Sequence, residues 1–169
     1  MAKSSYIRLI NFRTLGNFLD LHPIYRDVEA RRTLVDDLCT AILEHSPKVI
    51  CGVEAQGYIL ATAVAMQLGL PLVAMEKCFS DPSLPSYTLE TRDFTRKWKR
   101  FSLRKDALQR GDRCVLIDDW IETGSQVQCA MDLIAQAGST VVVVAALHAE
   151  GNAVTGRLSR EGRLICLDR

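Results

Sequence analysis

The stretch Cys114-Val-Leu-Ile-Asp-Asp-Trp-Ile-Glu-Thr-Gly-Ser-Gln126 joins an apolar run, two adjacent acids, a third acid and a small polar turn. Residues 113–117 read as a buried strand. Beyond the turn, Val127, Ala130, Met131 and Ile134 recur at helical spacing, and Gly138 marks the end of that helix. Residues 141–147 return as a second apolar strand. A strand, a turn, a helix and another strand, with no polar alternation in either strand, is the pattern of a parallel sheet covered on both faces.

The same rhythm occurs earlier in the chain. Leu34, Val35, Leu38, Cys39, Ile42 and Leu43 place a helix over 33–44, and Pro47 ends it. A strand follows at 49–53, then a helix over 57–68 that exits at Gly69 and Pro71, then a strand at 72–75. The expected architecture is therefore α/β, a doubly wound and mainly parallel sheet flanked by helices. Residues 79–105 break the rhythm with two prolines, then Tyr87-Thr-Leu-Glu90, then a segment rich in lysine and arginine. A connection of that length inside a compact domain is expected to be a flexible loop or β arm with a function.

At 169 residues the chain fits one domain, 1–169, divided into an N-terminal segment 1–32, an α/β core 33–150 and the arm 79–105. A net charge of +1 gives no electrostatic footprint for nucleic acid. No run approaches the ~18 apolar residues of a membrane span, and MAKSSYIRLINFRTLG lacks the apolar centre of a signal peptide, so a cytoplasmic protein is expected. The six cysteines form no Cys-x-x-Cys and read as buried thiols. The three histidines are too dispersed for a local zinc or catalytic pair.

Ligands of parallel sheets bind outside the carboxyl ends of the strands, which is where Asp118 and Asp119 fall. Glu122, Thr123, Gly124, Ser125 and Gln126 then lead into a helix, whose first N–H groups and dipole favour a phosphate. Paired carboxylates beside that turn suit ribose hydroxyls or a magnesium ion held with them. Taken singly, each residue has a plain structural reading as strand end, cap or turn. The fixed order of all of them points to a ribose phosphate site. Neither Gly-x-Gly-x-x-Gly nor Gly-Lys-Ser/Thr is present.

This stretch resembles the phosphoribosyl pyrophosphate motif of type I phosphoribosyltransferases, and the resemblance is closest to adenine phosphoribosyltransferase-like proteins. Val53-Glu-Ala-Gln-Gly-Tyr58, Leu68-Gly-Leu-Pro71 and Lys77 resemble the pyrophosphate-loop region. Ser86-Tyr-Thr-Leu-Glu90 is similar to the mobile catalytic loop, Ile24-Tyr-Arg-Asp27 to the base-binding segment, and Lys105-Asp-Ala-Leu108 to the entry into the long strand. Together these cover roughly residues 20 to 150 in order.

The resemblance implies a transferase moving ribose 5-phosphate from phosphoribosyl pyrophosphate to a nucleobase, an adenine-like purine, with magnesium and release of pyrophosphate. It assigns Asp118 and Asp119 to the ribose hydroxyls and Glu122, Thr123, Gly124, Ser125 and Gln126 to the phosphate. It sets Ala55, Gln56, Gly57 and Lys77 around pyrophosphate, Ile24, Tyr25 and Arg26 around the base, and Glu90 near the leaving group once the loop closes. Read alone, Lys77 and Glu90 are also ordinary solvated charges, and Tyr25 is also a core aromatic. A homodimer, with a basic side chain reaching the neighbouring site, is a further expectation.

Three departures from the family pattern bear on function. Gln56 stands where the adenine type has arginine, although Arg92, Arg96, Lys97, Lys99, Arg100, Arg104 and Lys105 offer cations nearby in sequence, with only Asp93 against them. Ser125 and Gln126 replace a glycine and a threonine of the phosphate loop. Glu122 replaces alanine, and a carboxylate beside phosphate is unfavourable unless directed elsewhere, so its expected target is the base. Two alternatives stay open: a non-catalytic protein of this fold that senses phosphoribosyl pyrophosphate or a nucleotide, and an enzyme with another acceptor such as a pyrimidine.

Overall fold

The computed structural model describes residues 5–10, 20–77, 83–92 and 97–168. Among these, seven strands form one sheet: β1 (Val49–Val53), β2 (Leu72–Lys77), β3 (Ser86–Arg92), β4 (Trp98–Arg104), β5 (Arg113–Ile121), β6 (Thr140–Ala149) and β7 (Leu164–Cys166). Their order is β3-β4-β2-β1-β5-β6-β7. The five strands from β2 to β7 in that order are parallel, and the hairpin β3–β4 joins antiparallel through β4. The mainly parallel α/β sheet expected from the sequence is thus observed.

Alternation along each strand divides the core in two. Ile50, Val115 and Ile117 face α2 (Val28–Leu43), which follows the short helix α1 (His22–Arg26), and α3 (Gly57–Leu68). Cys51, Cys114 and Leu116 face the other way, toward α4 (Ser125–Gln136) and α5 (Ala153–Arg160). Both faces are buried, which is why β1 reads as uniformly apolar rather than alternating.

Several elements outrun their sequence-based bounds. α2 begins at Val28, not at 33, because the Asp27 carboxylate accepts the Ala30 N–H at 2.9 Å and caps it. It therefore passes unbroken through the expected 32/33 division. β2 extends to Lys77, and β5 continues to Ile121 because Trp120 and Ile121 pair with His148 and Ala149 of β6. Asp118 and Asp119 consequently lie within the strand rather than beyond its end. Within 79–105 the described residues form the β3–β4 hairpin, while 79–82 and 93–96, including Arg96 and Asp93, lie outside them. α5 and β7, which the sequence left unassigned, add a polar helix and the sheet's last strand. Cys39, Cys51, Cys114 and Cys129 are buried thiols and Cys166 is half-buried; Cys78 lies outside the described residues.

Candidate active site

The carboxyl ends of β1, β2 and β5 meet at a cavity of about 260 Å³. A loop connects β1 to α3 through Glu54, Ala55 and Gln56, with a cis peptide between Glu54 and Ala55. Gly57 then lets α3 start directly against β5, since a Cβ there would lie 2.9 Å from the Ile117 carbonyl and 3.2 Å from Asp118 Oδ1. The helix N-terminus and the acid pair are thereby brought face to face. From β2 the Lys77 backbone N–H donates to the Glu54 carboxylate, and its ammonium lies 5.6 Å from the Phe101 ring centre.

On β5, Asp118 is buried and its Oδ1 accepts the Asp119 N–H at 3.0 Å. Burial, and then the neighbouring Asp119, push the Asp118 carboxyl well above the usual carboxylate range, with Lys77 opposing. An acid held dry in this way keeps its proton until hydroxyl donors or a cation arrive to stabilise the ionised form. Past Ile121 the chain turns through Glu122 and Thr123 to Gly124, which takes φ +77° as the residue before α4. The Thr123 and Ser125 hydroxyls lie 2.5 Å apart, and the Ser125 N–H also approaches Thr123 Oγ1 at 3.4 Å. The cavity thus sets the buried Asp118 and the half-buried Asp119 between two helix N-termini, each of which favours an anion.

A family model described as a phosphoribosyl transferase domain matches residues 24–160, well over half of the chain. The chain belongs to this family. An adenine phosphoribosyltransferase from Thermobifida fusca is 34% identical over 131 residues, which is 77% of this chain and 73% of that protein. The fold is similar to a solved adenine phosphoribosyltransferase of Giardia lamblia complexed with 9-deazaadenine. That likeness has a TM-score of 0.85 and 24% identity, covering 99% of this chain and 97% of the other. The Saccharomyces cerevisiae enzyme, solved with adenine and an imino-altritol bisphosphate, gives 0.80 and 21%, covering 96% and 98%.

Within this phosphoribosyl transferase domain, Ala55, Gln56, Lys77, Asp118, Asp119, Glu122, Thr123, Gly124 and Gln126 all line the one cavity, and Gly57 backs it. Ser125 and Glu90 instead line a second crevice where β3 packs on α4, together with Thr123, Gln128 and Asp132. Glu90 is held there by Arg100 at 2.9 Å across the hairpin. The three base-segment residues diverge. Ile24 is fully buried in the core, and Arg26 borders a separate depression with Asp20 and His22. Of the three, Tyr25 is close to the acid pair: burial, then Asp119, raise its phenol above the ordinary range, and its hydroxyl is buried without a hydrogen-bond partner among the described residues.

Four further residues form the cavity wall: Glu54, Trp120, Ile121 and Val127. Trp120 lies within the 114–126 stretch, and its ring centre is 6.1 Å from that of His148. Nothing local distinguishes it from a core aromatic, because what makes it a wall is the extension of β5 alongside β6.

Proposed function

We propose that this protein transfers ribose 5-phosphate from phosphoribosyl pyrophosphate to a ring nitrogen of a purine-like base, adenine foremost, releasing pyrophosphate. The observation that carries this reading is the acid pair, a buried Asp118 beside a half-buried Asp119, set between two anion-favouring helix starts in one cavity. The family and the name of the Thermobifida fusca relative support both the reaction and the adenine-like acceptor.

In this reading Thr123, Gly124, Ser125 and Gln126 hold the 5-phosphate through backbone N–H and hydroxyl donors. Asp118 and Asp119 hold the ribose hydroxyls. Pyrophosphate lies over Ala55, Gln56 and Gly57, with Lys77 as a point charge. The C1–O bond to pyrophosphate breaks and its electron pair leaves with that group, while the lone pair of the base nitrogen forms the C1–N bond. The ring proton passes to a carboxylate. Glu90 and Glu122 are the two available, Glu90 on closure of the hairpin and Glu122 directly from the cavity wall. Tyr25 and Trp120 give that side its aromatic surfaces.

Magnesium fits the donor set, which consists of hard carboxylate oxygens. Among the described residues no group of three or more His, Cys, Asp or Glu could hold a metal unaided. One or two carboxylates of the Asp118–Asp119 pair would complete a shell supplied mainly by substrate oxygens. When bound, the ion neutralises charge on the departing pyrophosphate. The working form is a cytoplasmic homodimer, and sedimentation measures its assembly.

Pyrophosphate release from phosphoribosyl pyrophosphate, magnesium and a panel of purines and pyrimidines tests the proposal. Release that requires adenine and vanishes in Asp118→Asn/Asp119→Asn supports it. Binding without release by any base favours the sensor reading, for which Gln56 in place of arginine is the specific motive. Glu122→Ala is expected to change the order of preference among bases, and an unchanged order removes Glu122 from base selection.

A further inference from the structure

We infer that Asn152, which lies outside the cavity, is a positioning residue that holds the phosphate loop in its binding form. The inference rests on the reading of 122–126 as the phosphate site. Asn152 precedes α5 and caps it: Oδ1 accepts the Thr155 N–H at 2.9 Å, and Thr155 Oγ1 accepts the Asn152 N–H at 3.0 Å. Capping needs only the side-chain oxygen, and serine, threonine or aspartate supply it as well. The amide nitrogen is surplus to that task. It donates to the Glu122 carbonyl at 2.8 Å, across 30 positions of sequence, and to the Glu150 carbonyl at 3.3 Å.

The Glu122 carbonyl belongs to the peptide that enters the phosphate turn. A planar trans peptide carries its C=O and N–H on opposite edges, so fixing the carbonyl also fixes the direction of the Thr123 N–H. Asn152 reaches the next residue too. A Cβ on Gly124 would lie 2.8 Å from Asn152 Oδ1 and 2.7 Å from Val154 Cβ, so the start of α5 is packed directly on the glycine that turns at φ +77°. The Glu150 N–H meanwhile donates to the Ile121 carbonyl at 2.8 Å, tying the two loops together a second time. Thr123 is exposed, and an exposed turn of this kind binds anions well only when its donors are aimed beforehand. Asn152 supplies that restraint from behind.

The test measures ribose 5-phosphate affinity by calorimetry, and Tm, for the wild type, Asn152→Ala, Asn152→Asp and Thr155→Val. Thr155→Val removes the bonds of the Thr155 hydroxyl, which accepts the Asn152 N–H and donates to the Glu150 carbonyl, and leaves the Thr155 N–H, the Asn152 cap and the Asn152 amide in place. Asn152→Asp keeps the cap and removes the donor, and so serves as the folded comparison should the alanine variant fail to fold. Both Asn152 variants are expected to bind about tenfold more weakly. Thr155→Val is expected to lose Tm while keeping its affinity within about twofold of wild type. Three outcomes overturn the inference: an alanine variant that binds as wild type does, a loss confined to aspartate, which is a charge effect, or a Thr155→Val loss as large as that of Asn152→Ala. A wild type that does not bind ribose 5-phosphate overturns the phosphate site itself, a result distinguishable from all three.

Discussion

At the scale of single residues, Asp118 sets stability against function. Its folded carboxyl titrates well above the ordinary 3.8 because of burial and then Asp119. The folded protein therefore keeps a proton that the unfolded chain releases above that value. Stability from this site is complete below the unfolded pKa and declines as pH rises through the folded one. Asp118→Asn, which cannot ionise, should raise the Tm of the ligand-free protein near neutral pH and flatten its profile as pH rises above about 4. The same variant should abolish pyrophosphate release, and a wild-type pH profile of Tm in it would refute the burial argument. Gly124 gives a second test. Its positive φ and the 2.7 Å approach to Val154 leave no room for a side chain, so Gly124→Ala should cost about 1 to 3 kcal/mol in urea denaturation. The acids and the glycine were legible in the sequence because residue type and order carry their chemistry. Ile24 and Arg26 were not placed by it, because three consecutive helical residues point in different directions.

At the scale of elements, caps and strand pairing set the bounds. Asp27→Ala removes the cap of α2 and should cost about 1 kcal/mol with little effect on turnover, measurable by thermal denaturation beside an activity assay. The hairpin shows the opposite separation. Glu90 and Arg100 form an ion pair whose side chains are about half exposed, so its loss should change stability by less than about 1 kcal/mol. Glu90→Gln should nevertheless lower turnover by about a hundredfold if Glu90 handles the base proton. A Glu90→Gln enzyme with wild-type turnover would transfer that task to Glu122. The hairpin was legible as an interruption of the βα rhythm. Its pairing of Glu90 with Arg100 depends on register, which composition does not specify.

At the scale of the whole molecule, one sheet separates two cores and gathers the site at its carboxyl edge. Leu116 is fully buried on the α4 side of β5, directly before the strand reaches the cavity. Leu116→Ala should cost about 2 to 5 kcal/mol and lower the denaturation midpoint without changing base preference, since the cavity lies beyond it. The sequence by itself determined the α/β class, the strand–turn–helix units and the order of acids and turn residues, because periodicity and local geometry are properties of neighbouring residues. Tertiary structure alone decided which residues share the cavity. Gly57 meets Asp118 because β1 and β5 are adjacent, Trp120 becomes a wall because β6 extends β5, and Asn152 reaches Glu122 because two loops emerge side by side. Such contacts depend on strand order and register, which are fixed only when distant apolar faces are buried against one another.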